Sequence, residues 1–253
     1  MKFNKLAALI LAAAFAVGCV SCEKEKSENK ADNTEIIENI GENEVGEIIT
    51  PDENSEEYEL GTYRFSSNGI KLYYEEEAVS TELMLALESY FLTLQNNDFE
   101  GYKNSLYPDY AQRYGDYLKE QYSESMEGSD EYTLENSFDM QCSNLKNMLI
   151  DELTYESETE QEFSGEYKIT RIRAERPTLA EGETEESRID SFFEYYKEIL
   201  DVDYKSIVEK DSDGLECITF FVIVEAEDGE EHKIISDMNI IFVKKDGKYY
   251  TFG

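Results

Sequence analysis

Leu215–Ala226 (LECITFFVIVEA), Lys233–Lys245 (KIISDMNIIFVKK) and Lys248–Phe252 (KYYTF) read as three antiparallel strands joined at Asp228-Gly229 and Asp246-Gly247. Asp-Gly pairs tolerate the φ > 0 backbone of tight hairpin turns, and β-branched and aromatic residues fill the runs on either side. A sheet this apolar needs a cover, and the residues before it supply helices. Glu75-Glu76-Glu77 leads into a helix that Ser80 or Thr81 can cap. Leu83, Leu87, Tyr90, Phe91 and Leu94 share one of its faces, widened by Met84, Leu85 and Leu92, so deep burial is expected. Gln95-Asn96-Asn97-Asp98 ends this helix and caps another from Phe99 to about Leu106, which Pro108 stops.

Further helices are expected over Tyr110–Tyr122 and from Thr133 to about Leu153, separated by a loop at Gly128-Ser129-Asp130. Glu156–Glu162 is a polar break. Phe163–Glu175 reads as a strand, with Tyr167, Ile169 and Arg171 alternating against Lys168, Thr170 and Ile172, one side wet. Pro177–Glu186 is an acidic loop and Ser187–Leu200 an amphipathic helix. Tyr204–Glu209 is either a continuation of that helix or a short strand. Near the start, Tyr58–Tyr74 reads as a small hairpin about Ser66-Ser67-Asn68-Gly69. Residues 60–253 thus form one α+β domain, helices packed on a curved antiparallel sheet.

Lys+Arg 23 against Asp+Glu 58 give a net charge of −35. Nucleic-acid binding relies on Lys and Arg replacing counterions at phosphates, so nucleic acid is excluded as a partner. Anionic lipid surfaces are disfavoured too, unless something anchors the chain.

Residues 1–22 supply that anchor. Lys2 and Lys5 precede an apolar run, Leu6–Val17, too short to span a bilayer. Ala16-Val17-Gly18-Cys19 resembles the lipobox of bacterial lipoproteins, whose cysteine is acylated and becomes the new N-terminus. Cys19 is therefore the expected lipidation site, with Cys22 a second candidate. Two acyl chains hold a protein on a membrane where one would not. The location implied is extracytoplasmic, anchored to a bacterial cell membrane. Residues 23–59 read as a disordered acidic tether, because between Ala31 and Leu60 there is no Lys or Arg and almost no aromatic residue. Flexible chain of roughly 40 residues reaches about 35 Å.

The stretch Leu85–Tyr110, an apolar helix followed by LQNNDFEGYKNSLYPDY, resembles the nuclear transport factor 2-like superfamily, with Asn97-Asp98-Phe99 matching its polar step between helices. The terminal DGKYYTF is similar to the last hairpin of such domains. The resemblance implies a curved α+β roll, related to that of ketosteroid isomerases, with a ligand cavity between sheet and first helix. A cystatin-like single-helix grip is the neighbouring possibility.

Candidate chemistry is sparse. His232, the sole histidine, follows a turn and reads as a solvated loop residue. In Asp211-Ser212-Asp213-Gly214, placing Gly214 at the sixth position of a calcium loop puts Glu209 first and Phe220 twelfth, so the bidentate acid is missing. A turn is the better reading. Asp237 and Glu225 are the strand carboxylates that could serve an isomerase-type site. The 19 tyrosines, with Trp 0, fit core packing or a flat binding platform. Cys142 and Cys217 are expected inside the core as free thiols, a disulfide being the alternative. No cofactor or metal is expected. These readings point to a non-catalytic domain that binds an extracellular ligand or envelope protein. The alternatives are a small-molecule enzyme of isomerase or cyclase type and a self-associating structural envelope protein.

Overall fold

The computed structural model describes Ile37 and residues 40–123, 132–156 and 162–253. Residues 1–36, with Cys19 and Cys22, lie outside the described residues, as does the expected loop at Gly128-Ser129-Asp130. A 3-10 turn, Glu56–Leu60, precedes β1 (Tyr63–Phe65) and β2 (Lys71–Tyr73). Then come α1 (Thr81–Gln95), α2 (Phe99–Ser105), α3 (Tyr110–Ser123) and α4 (Leu134–Glu156). β3 (Tyr167–Glu175), α5 (Glu185–Leu200) and α6 (Tyr204–Asp211) lead to β4 (Gly214–Ala226), β5 (Glu231–Lys245) and β6 (Lys248–Thr251).

The strands form one six-stranded mixed sheet in sequence order. All neighbours are antiparallel except β2 and β3, which pair parallel with Lys71 opposite Arg171. Parallel neighbours need a crossover, and α1 to α4 supply it. The two expected hairpins close on left-handed turn residues, Gly229 (φ 83°) in one and Asp246 and Gly247 (φ 52° and 75°) in the other.

The helices begin where their polar caps stand. Ser80 Oγ accepts from Leu83 N (3.2 Å), and Asp98 Oδ1 accepts from Gly101 N (2.9 Å). α1 buries Leu83, Met84, Leu87, Tyr90, Phe91 and Leu94, and Phe91 meets Phe220 of β4 at 5.1 Å between ring centroids. Leu85 and Leu92 are only half-buried. Tyr204–Asp211 is neither a continuation of α5 nor a strand. Asp201 turns left-handed (φ 53°) and ends α5, and Asp203 caps the separate helix α6.

β3 departs from simple alternation. A register shift between Ile169 and Arg171 brings Ile169, Ile172 and Ala174 to the same buried face and sends Arg171 and Arg173 to the other. An inserted residue bends the strand and reverses the side-chain parity beyond it. The strand starts at Tyr167 rather than Phe163, because Glu227 holds the segment before it. Ser164 donates to that carboxylate from its backbone N (2.6 Å) and its hydroxyl (2.9 Å).

Aromatic packing around Phe252 ties three helices and the α2–α3 loop together. Phe252 is buried among Tyr107, Tyr110, Tyr196, Tyr204, Phe192 and Phe193, stacked on Tyr107 at 5.4 Å. Cys142 and Cys217 are buried and unbridged, as expected, and burial pushes each thiol up to about 11.

The segment expected as tether is corrected over residues 40–59. Ile49 exchanges two backbone hydrogen bonds with Tyr63 (2.8 and 3.0 Å), and Gly46 N donates to Phe65 O (2.8 Å). Tyr63, Phe65 and Tyr73 form a second small core on the sheet's outer face, packed against Ile37, Ile40, Ile49 and Leu60. The segment has no basic residue and a single aromatic one, Tyr58, so its composition gave no sign of these contacts; the apolar surface it needs is provided by β1 and β2. A chain beginning at Leu60 should therefore be less stable than one beginning at Ile40 by roughly 3 kcal/mol, the value of burying one to two large aliphatic side chains. Urea denaturation of the two fragments measures the difference, and equal midpoints would return residues 40–59 to the tether.

Candidate functional site

The space between α1 and the sheet, where a roll would keep its cavity, is occupied by side chains. Phe220, Phe91, Tyr90, Tyr102 and Phe138 touch in that order through ring contacts of 4.9 to 5.9 Å. Asp237 stands exposed at an irregularity of β5 with φ 50°, and Glu225 is half-buried, paired in register with Glu231 at the hairpin end. Neither faces an enclosed chamber. Asp211 ends α6, and Asp213 N donates to Lys244 O (2.7 Å), opening the β4–β5 ladder. Among the described residues no group of three or more His, Cys, Asp or Glu side chains is arranged to hold a metal ion.

His232 is corrected from a solvated loop residue to a buried one. It lies inside β5, 5% exposed, between Asp228 and Glu152. The strand begins two residues earlier than the hydrophobic pattern indicated, and that shift carries the imidazole onto the face covered by α4. Many of the tyrosines serve packing, while Tyr58 and Tyr155 are exposed. Tyr110, Tyr114 and Tyr117 stack along α3 with interplanar angles of 9° and 17°. Rings stacked on one another present edges rather than open faces to a ligand.

Two polar arrangements went unseen in the sequence. The first is Glu88, 2% exposed on the apolar face of α1. Ser66 Oγ and Asn68 Nδ2 donate to its carboxylate. Ser66 Oγ in turn accepts from Asn68 N (3.2 Å) and Ile70 N (3.3 Å), so one carboxylate braces the whole β1–β2 turn against α1. Burial raises the Glu88 pKa, against the opposing pull of the Ser66 and Asn68 hydrogen bonds. An acid one turn after Met84 and one before Phe91 was the legible signal.

The second is a row of cations across the outer face of the sheet. Lys71, Arg171, Ile223 and Lys233 are register partners on β2, β3, β4 and β5. At adjacent-strand spacings the row spans about 14 Å. A second row sets Tyr73 beside Arg173 and Arg173 beside Phe221. Phe221, 8% exposed, is flanked by the Arg173 guanidinium (5.8 Å) and Lys233 Nζ (4.9 Å). Glu57 from the 3-10 turn accepts from Lys71 Nζ (2.6 Å) and Tyr73 Oη and lies 3.8 Å from Arg171, and Glu231 holds the far side of Arg171 (2.6 Å). Burial acts to raise the Glu57 carboxyl, but Lys71, Tyr73 and Arg171 outweigh it and hold the pKa below the ordinary value. Lys233 is exposed and forms no ion pair among the described residues. Beside the rows lies a groove of about 450 Å³ lined by Tyr73, Tyr74, Arg173 and Arg176 together with Glu59, Glu75 and Glu175, and Arg173 is paired there with Glu175 (2.8 Å). Guanidinium forks pair with carboxylates and phosphates through two parallel N–H bonds, so this is the part of the surface equipped to meet an anion.

A scan against protein-family models and searches of curated proteins and of solved structures return no match for this chain. The residues therefore carry the functional reading by themselves.

Removing the brace on Glu88 is directly testable. Ser66→Ala deletes a buried hydrogen bond to a carboxylate and should cost about 2 kcal/mol in urea denaturation. Glu88→Gln acts differently with pH. A carboxyl whose folded pKa is raised adds stability below its unfolded pKa and loses it as pH rises through the folded value. The variant should gain on the parent as pH rises above the ordinary carboxyl value. A stability difference independent of pH would show that Glu88 is not titrating in this range.

Proposed function

We propose that the chain is an acyl-anchored extracytoplasmic lipoprotein whose α+β domain acts by non-covalent binding, with the cationic rows of its outer sheet face as the contact surface. Its partner there is a carboxylate- or phosphate-bearing ligand or protein segment of the cell envelope. The observation that carries this reading is the alignment of Lys71, Arg171 and Lys233 on register partners, beside Arg173, in a chain of net charge −35. Lys71, Arg171 and Arg173 are partly neutralised by Glu57, Glu231 and Glu175, and clustered cations favour anions locally to the extent that such pairing leaves charge over. The lipobox-like Ala16-Val17-Gly18-Cys19 supports acylation at Cys19. No helix among the described residues is long and apolar enough to cross a membrane.

The helix-then-sheet order and the curved, bulged β3–β5 region support a nuclear transport factor 2-like roll, with the interior given over to packing rather than to a ligand chamber. An isomerase-like enzyme would find its buried acid in Glu88, but that carboxylate is engaged by Ser66 and Asn68 and does not line the groove beside the cationic rows. Self-association through a bare sheet face has less to work with. Residues 40–60 cover one end of the outer face, and α5 reaches the other through Arg188 and Asn239.

Two measurements test the reading. Cys19→Ser should abolish fatty-acid labelling and leave unprocessed precursor; labelling that persists would move the anchor to Cys22 or remove it. Calorimetric titration with an oligoglutamate peptide and with inorganic phosphate should detect binding by at least one, weakening as salt is raised. The double change Arg173→Glu and Lys233→Glu should reduce that affinity at least ten-fold. Binding by neither probe, or binding indifferent to the charge reversal, would overturn the assignment of the surface.

A further inference from the structure

His232 is the chain's only histidine, and its surroundings suit a charged imidazole better than a neutral one. Nε2 lies 3.0 Å from Asp228 Oδ2, and Nδ1 lies 3.5 Å from Glu152 Oε1. An ionised carboxylate only accepts hydrogen bonds, so a ring nitrogen facing one is satisfied only when it carries a proton. The neutral ring has one N–H and the imidazolium has two. With carboxylates at both nitrogens, only the imidazolium satisfies both sides.

The two acids belong to different parts of the fold. Glu152 sits near the C-terminal end of α4, between the buried Leu149 and Leu153. Asp228 sits in the β4–β5 turn, where its other oxygen accepts from Glu230 N (2.9 Å). Across the ladder His232 meets Val224, which is apolar. Its neighbours Glu231 and Lys233 belong to the opposite face, where Glu231 pairs with Arg171. Glu227, next to Asp228, is occupied with Ser164 and Gly165. The groups that face the ring from the packed elements are therefore Glu152 and Asp228.

We propose that His232 is a pH-operated latch. Its imidazolium clasps the last turns of α4 to the β4–β5 hairpin, and loss of the proton releases the Glu152 side. After that loss the remaining N–H stays with Asp228, the closer partner, which is fixed within its own turn. The Nδ1 lone pair then faces the Glu152 carboxylate, two acceptors opposed in a half-buried site. The hairpin keeps its shape and the end of α4 loses its tie to the hairpin, while Leu149 and Leu153 keep it seated in the core and the turn around Glu152 opens more readily.

The hydrogen bond to Glu152 raises the His232 pKa above the ordinary value, burial works against it, and Asp228 adds to the rise through its hydrogen bond and charge. A histidine raised in this way contributes stability that is complete below the unfolded pKa, about 6.5, and is lost as pH climbs through the folded value. The latch is closed in mildly acidic surroundings and opens toward alkaline ones. A domain displayed outside the cell, as proposed above, meets such changes without a cytoplasmic buffer.

With a single imidazole in the chain, one Cε1 proton resonance reports the titration. In the full chain its midpoint should lie above 6.5, and Glu152→Gln and Asp228→Asn should each lower it. Amide protection factors at residues 149–155, corrected for the intrinsic pH dependence of exchange, should fall at least ten-fold as pH passes the midpoint, while those at the centre of β4 stay constant. His232→Gln should make protection at the end of α4 independent of pH; should that variant fail to fold, the two carboxylate variants carry the test. A midpoint at or below 6.5, a midpoint unmoved in both carboxylate variants, or protection at α4 that does not follow the titration would each overturn the proposal.

Discussion

The structure depends on a strand with no wet side. From Cys217 to Val224 every residue of β4 is buried, so both faces of the sheet need a cover there. One cover, α1 and α4, lies over Phe220 and His232. The other is divided. Residues 40–60 lie over the β1–β2 end, and α5 reaches Thr219 through the shared acceptor Asn239. Between these two covers the outer face is closed only by long cationic side chains laid over Phe221. Aliphatic stems of Arg and Lys shield apolar surface while their heads stay in water. The same requirement for coverage thus creates both the second small core and the cationic rows.

Charge is organised on two levels. Most acidic residues are at the surface and set the net charge. A small set is used as fixed acceptors, some buried and some, like Glu227 and Asp228, exposed: Glu57 for Lys71 and Tyr73, Glu231 for Arg171, Glu88 for Ser66 and Asn68, Glu227 for Ser164, and Glu152 with Asp228 for His232. All but Asp228, four residues from His232, connect segments distant in sequence. Removing one partner of a buried charged pair leaves the other uncompensated, which makes such contacts strict about geometry whatever their net contribution to stability. In a chain with few basic residues, the positions of Arg171 and Lys71 are thereby closely specified.

The elements set by local patterning were legible. The Asp-Gly hairpins, the Ser80 and Asp98 caps and the apolar stripe of α1 follow from turn chemistry and helical period, which act within a few residues. What escaped was decided by partners far along the chain. The shift at Ile169/Arg171 answers to the ladder with β4, and without that ladder alternation placed Ile169 and Ile172 on opposite faces. Residues 40–59 gain order from β1 and β2, which composition does not reveal. His232 looked solvated because its charged neighbours in sequence point to the other face. Of the candidate surface, Arg171 and Arg173 were visible as strand residues, but their alignment with Lys71 and Lys233 exists only through register.

The aromatic knot around Phe252 has a kinetic meaning. A chain is made from its N-terminus, so Tyr107, Tyr110, Phe192, Phe193, Tyr196 and Tyr204 all emerge before the ring they surround. Until Phe252 arrives they have a void where the close-packed interior should be. Likewise the β1–β2 hairpin waits for β3 across four intervening helices. Folds dominated by such distant closures search slowly, because loop entropy is lost before the contacts that reward it can form. The helices of this protein can form early, but the assembly around them is completed by residues made after them.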